Sequence, residues 1–175
     1  MEKKGLIQLY TGDGKGKTTA SIGQAIRAKG HKFKVCFVYF FKNLKDFPYS
    51  EVEVLKGLGI ETVGFVPRHP HFYKNITPEQ MREDCLKALE SIKEIFQKGY
   101  DMVIIDEILI ALQDGFLKEE EILELLGKKP DSLDIILTGR GATGKIIERA
   151  DLVTEMKKIK HPFNQGLKGR EGIEY

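Results

Sequence analysis

The residues of this chain best suited to chemistry form a glycine-rich stretch near its start, Thr11-Gly12-Asp13-Gly14-Lys15-Gly16-Lys17-Thr18-Thr19. A glycine turn of this kind directs successive backbone N–H groups inward, and the start of a following helix adds positive potential, so a polyphosphate binds there with little help from side chains. Lys17 would place a point charge on the outer phosphates, and the Thr18 hydroxyl would hold Mg²⁺. The stretch predicts a nucleotide site, the alternative being a flexible turn of glycines and lysines.

Two stretches compete for the general phosphate-binding pattern G-x-x-x-x-G-K-[ST]. The first misses it by one position, because Thr11 stands where glycine is expected. The second, Gly139–Lys145, matches seven positions and then has Ile146 in place of the hydroxyl residue. A metal-bound triphosphate needs that hydroxyl, which only the first stretch supplies. We therefore assign the phosphate site to Gly12–Thr19 and interpret the second stretch as a strand-to-helix turn without a nucleotide of its own.

Two carboxylates, Asp106 and Glu107, end an apolar run that begins at Asp101. In a protein with a phosphate turn, the acidic residue at the end of such a strand lies across from Lys17 and Thr18, where it binds Mg²⁺ directly or through water. The alternative is an ordinary strand-end charge before a helix, whose start favours acids in any case. Because the phosphate turn is present, we favour a metal site formed by Thr18, Asp106 and Glu107.

The composition favours a single domain over residues 1–175. The chain has 175 residues, 41% of them apolar, and a net charge of +2 from 28 basic and 26 acidic residues. Nothing in this balance requires a nucleic-acid partner. The longest apolar run, Val35–Phe41, is too short to cross a bilayer, and no signal-peptide pattern follows Met1, so we expect a cytoplasmic location and no membrane. Cys36 and Cys85 are expected to be buried, reduced thiols.

Apolar runs alternate with helical patterns about six times along the chain. The predicted strands are Leu6–Tyr10, Lys34–Phe41, Ile60–Phe65, Asp101–Glu107, Ser132–Thr138 and Asp151–Met156. The predicted helices are Thr18–Lys29, Glu51–Lys56, Thr77–Gly99, Lys118–Leu126 and Lys145–Ala150. This order predicts an α/β fold: a mainly parallel sheet covered by helices on both faces, P-loop NTPase-like and RecA-like. The continuously apolar run 34–41 is expected to lie centrally, and residues 157–175 to form an irregular tail.

The ligands of open α/β sheets bind at the carboxyl ends of the strands. We therefore expect the loops after Phe41, Phe65, Asp106 and Thr138 to gather around the nucleotide. One of these loops, Val66–Asn75, carries two histidines and two aromatic residues and is a candidate surface for a second substrate.

Together the motifs resemble the ATP:cob(I)alamin adenosyltransferases of the CobA type, also called corrinoid adenosyltransferases. The turn Thr11–Thr19 resembles that family's T-G-[ND]-G-K-G-K-T-T, including the threonine that breaks the general pattern. Further blocks that are similar to the family's, in the same order, are Asp106-Glu107, Leu137–Gly141 with T-G-R-G, Asp151–Met156, Lys160–Phe163 and Gly172–Tyr175. The blocks span almost the whole chain, which makes the resemblance specific.

The resemblance implies transfer of the 5′-deoxyadenosyl group of ATP to the cobalt of cob(I)alamin or another corrinoid, with release of triphosphate. It also implies Mg²⁺ or Mn²⁺, a flavin-type electron donor and a homodimer, with the tail reaching a neighbour or folding over the site. Lys17, Thr18 and Glu107 would act in catalysis. Glu107 would position metal or ribose, whereas in an ATPase it would activate water. Arg140 either approaches the nucleotide or braces its own turn, and both alternatives are open.

The chain departs from the resembling family where the corrinoid would bind. Asn43 replaces a usual glycine, and Pro67 stands where other members carry a tryptophan, a residue type that this chain lacks. An apolar residue beneath the cobalt donates no lone pair and so favours Co(I), which makes Phe65 the candidate for that position. Other candidates for the corrin-binding face are His69, Phe72 and Tyr73.

Histidine ligation of cobalt is the less favoured possibility. A histidine below the metal would stabilise Co(III) or Co(II) over Co(I), so His69 and His71 are interpreted as loop or surface residues. Two other functions compete with adenosyl transfer. One is a RecA-like P-loop ATPase or small-molecule kinase, and the other is a non-catalytic module that binds corrinoid or ATP.

Overall fold

Six parallel strands form one sheet in the computed structural model, which describes residues 4–46, 49–70, 73, 76–167 and 169–173, without the side chain of Phe163. The strands are β1 (Ile7–Thr11), β2 (Val35–Phe40), β3 (Glu61–Phe65), β4 (Met102–Asp106), β5 (Asp134–Thr138) and β6 (Leu152–Glu155). Their order across the sheet is β3-β2-β4-β5-β1-β6, and every neighbouring pair is parallel. The α/β prediction is confirmed.

Helices connect the strands. They are α1 (Lys17–Gly30), α2 (Ser50–Gly57), α3 (Pro78–Phe96), α4 (Ile108–Gln113), α5 (Glu119–Gly127) and α6 (Gly144–Arg149), followed by a 3-10 turn at Pro162–Gln165. The predicted start of α3 is confirmed, because the Thr77 hydroxyl accepts from the Gln80 N–H and the Gln80 side chain accepts from the Thr77 N–H. In the described part of the chain, no helix is both long and apolar enough to span a membrane.

The two faces of the sheet pack against different helices, because successive side chains of a strand point to opposite faces. In β2, Phe37 and Tyr39 pack with α1 and α2, whereas Cys36, Val38 and Phe40 pack with α3, α4 and α5. All six residues of β2 are buried. Burial of each large apolar side chain contributes about 1.5–3 kcal/mol.

The predicted central position of β2 is wrong. The strand is interior, but it neighbours the edge strand β3, and the middle of the sheet is formed by β4 and β5. An unbroken apolar run reports that both faces of a strand are covered, and this holds for any interior strand. It therefore does not determine lateral order.

The two cysteines are buried free thiols, as expected. Burial raises the pKa of Cys36 and of Cys85 to about 12. Both remain protonated near neutral pH and act as core residues.

Candidate functional site

Each of the first five strands is followed directly by a residue with positive φ. These five residues are Gly12 (96°), Phe41 (59°), Val66 (49°), Glu107 (64°) and Gly139 (136°). For the three that are not glycine this conformation costs about 1–3 kcal/mol each, and such strain concentrates at functional sites. The backbone thus turns sharply at the carboxyl edge of the sheet five times.

A cleft of about 810 Å³ lies at this edge. It is lined by the glycine turn from Asp13 to Thr19 and by residues that follow β2, β3, β4 and β5. The predicted gathering of loops is therefore confirmed. Three tail residues, His161, Gly172 and Ile173, line the same cleft, so the tail reaches the site of its own chain.

The glycine turn is held from behind by the end of β6. The Gly14 N–H donates to the Met156 carbonyl at 2.6 Å, and the Met156 N–H donates to the Thr11 carbonyl at 2.8 Å. A Cβ at Gly12 would lie 2.6 Å from the Met156 oxygen, so only glycine fits. Asp13–Thr19 face the cleft, whereas Thr11 and Gly12 are not among its lining residues in the described chain. Thr11 and Gly12, which were both predicted to bind the nucleotide, therefore support the turn from behind.

Lys17 is fixed inside the turn and is only 7% exposed. Its Nζ donates to the carbonyl oxygens of Gly12 at 2.7 Å and Gly14 at 2.9 Å. Burial lowers the pKa of Lys17, and the carboxylate of Glu107 opposes that shift. An ammonium group has three protons, so one remains for a phosphate oxygen.

Thr138, at the end of β5, links the two carboxylate residues that end β4. Its hydroxyl donates to Asp106 Oδ1 at 2.7 Å and accepts from the Glu107 N–H at 2.9 Å. Both Thr138 and Asp106 are fully buried. One hydroxyl therefore fixes the Asp106 rotamer and the left-handed turn at Glu107. The T-G-R-G block contains Thr138, but sequence reasoning gave it no role at the site.

We expect Thr138→Val to lower the free energy of unfolding by about 1–3 kcal/mol, because it leaves Asp106 Oδ1 and the Glu107 N–H buried without a partner. Thr138→Ser keeps the hydroxyl and should retain most of the stability. Urea denaturation of both variants measures the difference. Equal losses in the two variants would show that the methyl group matters and the hydroxyl does not.

The remaining carboxylate oxygens suit a hard cation. Within the described residues, Glu107 Oε2 is buried without a hydrogen bond, and Asp106 Oδ2 has only Lys42 Nζ at 3.0 Å, an ion pair without hydrogen-bond alignment. Burial raises the pKa of Glu107, Asp106 raises it further, and the charges of Lys42, Lys17 and Arg140 oppose the shift.

No group of three His, Cys, Asp or Glu residues in the described chain could hold a metal by itself. Thr18 and Glu107, however, line the same cleft. Mg²⁺ in phosphate sites takes one or two protein oxygens together with phosphate oxygens and water. The residues present fit that arrangement.

The opposite side of the cleft is aromatic. The His69 ring meets the Phe41 ring edge-on, with centroids 4.9 Å apart, and lies 6.0 Å from the Phe116 ring. His69 Nε2 is 2.7 Å from Asp114 Oδ2, and the His69 side chain is 16% exposed. His69 lies in a loop, as interpreted, and it also lines the cleft. Phe41 and Asp114 were missed as site residues.

Phe65, the predicted residue beneath cobalt, packs on the core, and its ring centroid is 6.1 Å from that of Phe40. Phe40 lines the cleft, whereas Phe65 is absent from the described lining. The predicted candidates His71 and Phe72 lie outside the described residues.

The second glycine-rich stretch has no phosphate cradle at its lysine. Lys145 Nζ lies 2.8 Å from Glu119 Oε1 on α5, and its side chain is 63% exposed. A Cβ at Gly139 would lie 2.7 Å from Leu109 Cβ, so this glycine permits close packing of the turn on α4. Arg140 does line the cleft. These positions agree with a turn that contributes one arginine to the first site.

Known proteins match both the motifs and their order. Residues 3–175 match the family described as ATP:corrinoid adenosyltransferase BtuR/CobO/CobP. The chain belongs to this family. It is 34% identical over 179 residues to a corrinoid adenosyltransferase of Escherichia coli K12, an alignment that covers 99% of this chain and 87% of that protein.

Two further relatives cover the chain to the same extent. Corrinoid adenosyltransferase CobA of Salmonella typhimurium LT2 is 34% identical over 99% of this chain and 87% of its own length. A corrinoid adenosyltransferase of a Sinorhizobium species is 36% identical over 99% of this chain and 82% of its own length.

One departure from the corrinoid adenosyltransferase motifs, Asn43, has a structural role in this member. Asn43 Nδ2 donates to Asp46 Oδ2 at 2.7 Å and to the Tyr73 hydroxyl oxygen at 3.1 Å, and the Tyr73 hydroxyl donates to Asp46. Asn43 therefore joins the loop after β2 to the loop after β3. A glycine at this position could not form that connection.

Proposed function

We propose that this protein transfers the 5′-deoxyadenosyl group of ATP to the Co(I) centre of a corrinoid and releases triphosphate. One observation carries the proposal: the turn that fixes Lys17 lines the same cleft as Glu107 and the aromatic side chains Phe41 and His69. A polyphosphate and a large apolar reactant would therefore meet in one space, in a chain that matches the family over residues 3–175.

The reaction balances without a protein base. The electron pair of Co(I) forms the Co–C5′ bond while the C5′–O bond breaks, and the oxygen leaves on triphosphate with the bonding pair. Cobalt becomes formally Co(III), and no proton is removed. Glu107 accordingly serves to position metal or ribose rather than to activate water.

The leaving triphosphate concentrates several negative charges as the C5′–O bond breaks. Lys17 and the N–H groups of the turn would stabilise these charges, and because Lys17 is fixed in the turn, little reorganisation would be needed during the reaction. Thr18, Asp106 and Glu107 would hold Mg²⁺ or Mn²⁺, which when bound neutralises phosphate charge. Arg140 adds a further cation at the cleft.

Phe65 contacts the ring of the cleft-lining Phe40, and through this apolar wall it would favour reduction of the bound corrinoid by keeping a lower ligand from cobalt, with electrons from a flavin-type donor. We expect Phe65→Ala to lower turnover about tenfold when Co(II) must be reduced on the enzyme, and less than threefold when Co(I) is supplied, because only the first assay needs the lower face. Phe33→Ala, which removes a partly buried ring just before β2 at the amino edge of the sheet, is the matched control and should not distinguish the assays. Equal loss for Phe65→Ala in both assays contradicts this role.

Location and assembly are proposals of the same kind. Two buried free thiols support a reducing, cytoplasmic location. The edge strand β6 is exposed along its length, with Leu152 and Val153 at 42% and 40%, which supports a homodimer through surface that the described residues leave uncovered. Sedimentation equilibrium measures the assembly, and a monomeric mass at micromolar concentration contradicts the dimer.

An anaerobic mixture of protein, Mg²⁺-ATP and chemically reduced cobalamin tests the activity. A light-sensitive alkylcobalamin is expected from the Co–C bond. ADP and phosphate formed regardless of corrinoid would indicate the ATPase or kinase alternative. Saturable binding of ATP and corrinoid without a Co–C bond would indicate the binding module.

A further inference from the structure

Lys42 is a buried cation at the cleft for which the proposed mechanism has no use. It follows Phe41, whose φ of 59° turns the chain sharply at the end of β2. The Lys42 side chain is 10% exposed and lines the cleft. A buried ammonium is costly unless it is paired, so its partners indicate what it does.

Two carboxylates and two rings surround this ammonium. Lys42 Nζ lies 3.0 Å from Asp106 Oδ2 and 3.2 Å from Glu51 Oε1. It also lies 5.4 Å from the centroid of the Tyr49 ring and 5.8 Å from that of Phe37. Two carboxylates in contact with one buried amine favour its charged form.

The oxygen that Lys42 approaches is the one that a divalent cation would use. Asp106 Oδ1 already accepts from Thr138, which leaves Oδ2. An ammonium and a divalent cation repel each other at the same carboxylate oxygen. Occupation of Oδ2 by a metal ion would therefore displace Lys42.

The displaced ammonium keeps Glu51 as a partner but needs an acceptor in place of Asp106. The phosphate oxygens that arrive with the nucleotide would supply that acceptor. Lys42 lies in the same cleft as the phosphate lysine, because Lys42, Lys17 and Arg140 all line it. The three cations therefore face one space.

We propose that Lys42 is a second lysine of the triphosphate site, which holds Asp106 in the ligand-free protein and moves to the triphosphate when a divalent cation takes Asp106. This inference rests on the proposed function for the identity of the leaving group. It differs from the role of Lys17, which binds carbonyls of the turn and has no carboxylate within ion-pair distance among the described residues.

Lys42→Met tests the exchange by two binding measurements with opposite expected signs. Calorimetry with inorganic triphosphate and Mg²⁺ should show affinity reduced about tenfold or more, because one charge-assisted contact is lost. Electron paramagnetic resonance with Mn²⁺ and the protein alone should show affinity increased severalfold, because Asp106 no longer has a competing cation. If Lys42 only stabilised the fold, the substitution would weaken the binding of both triphosphate and Mn²⁺.

Two further variants serve as controls. Lys42→Arg keeps the charge and should bind triphosphate within about threefold of the parent protein. Lys45→Met removes an exposed lysine three positions away and should change neither affinity. Unchanged triphosphate affinity in Lys42→Met, or a loss of affinity for both ligands, overturns the proposal.

The unmodified protein gives an independent measurement. Labelling of Lys42 by an amine-reactive reagent, quantified by mass spectrometry, should rise when Mn²⁺ is added alone and fall when triphosphate follows. Labelling that does not respond to Mn²⁺ overturns the exchange. Both readouts are independent of Co–C bond formation, so failure of this inference is distinguishable from failure of the proposed activity.

Discussion

Lys17→Ala is expected to reduce adenosyl transfer about 10³-fold or more in kcat/KM while the fold remains intact. The loss is large because the ammonium is fixed in the turn before ATP binds and would stabilise charge that develops on the leaving triphosphate. The turn should survive, because the Gly14 N–H still donates to the Met156 carbonyl. The rate of Co–C bond formation with chemically supplied Co(I) gives the effect, and circular dichroism reports the fold.

Lys29→Ala is the matched control for this variant. Lys29 lies in the last turn of the same helix, and its Nζ donates to the Gly59 carbonyl at 2.8 Å, far along α1 from the cleft. Its loss should leave kcat/KM unchanged. Near-normal turnover in Lys17→Ala would refute the assignment of phosphate binding to the glycine turn.

Asp106→Asn should lower kcat about 10²-fold or more and the free energy of unfolding by about 3 kcal/mol. The carboxylate has two functions: Oδ2 is available to a metal ion, and its charge compensates the buried ammonium of Lys42 at 3.0 Å. The amide of asparagine keeps the size of the side chain, but it lacks the negative charge that both the metal ion and Lys42 require. The kcat should also recover only partly as the Mg²⁺ concentration rises, since a ligand of the metal is missing.

Asp101→Asn provides a control at the opposite end of the same strand. Asp101 Oδ2 accepts from the Lys34 N–H at 2.8 Å, away from the cleft. This variant should show normal kcat with a small change in stability. A normal kcat in Asp106→Asn, combined with the expected loss of stability, would mean that Asp106 is only structural.

Local signals predicted much of the fold. The capping box at Thr77 and Gln80, the glycine turn and the alternation of apolar and helical segments each lie within a short segment, so each is readable without tertiary structure. Helix α4, by contrast, received no predicted bounds, since six residues directly after a strand give too short a periodic pattern.

The parts of the site that sequence did not predict depend on contacts between distant segments. Lys42 follows β2 and Asp106 ends β4, and His69 and Asp114 are 45 positions apart, so neither pair leaves a local pattern. The hydroxyl of Thr138 gains its role only because β4 and β5 are neighbours in the sheet. The left-handed backbone at Val66 is likewise unexpected from a β-branched residue.

The bond that breaks in ATP separates adenosyl transfer from every alternative considered. ATP carrying ¹⁸O at the bridge between C5′ and the α-phosphate should be incubated anaerobically with the protein, Mg²⁺ and Co(I) cobalamin. Mass spectrometry then measures the ¹⁸O content of each product. Attack of cobalt on C5′ predicts one adenosylcobalamin for each triphosphate, with all of the ¹⁸O in triphosphate. Label retained on ADP or on another adenosine-containing product, with phosphate released, would contradict the proposed reaction.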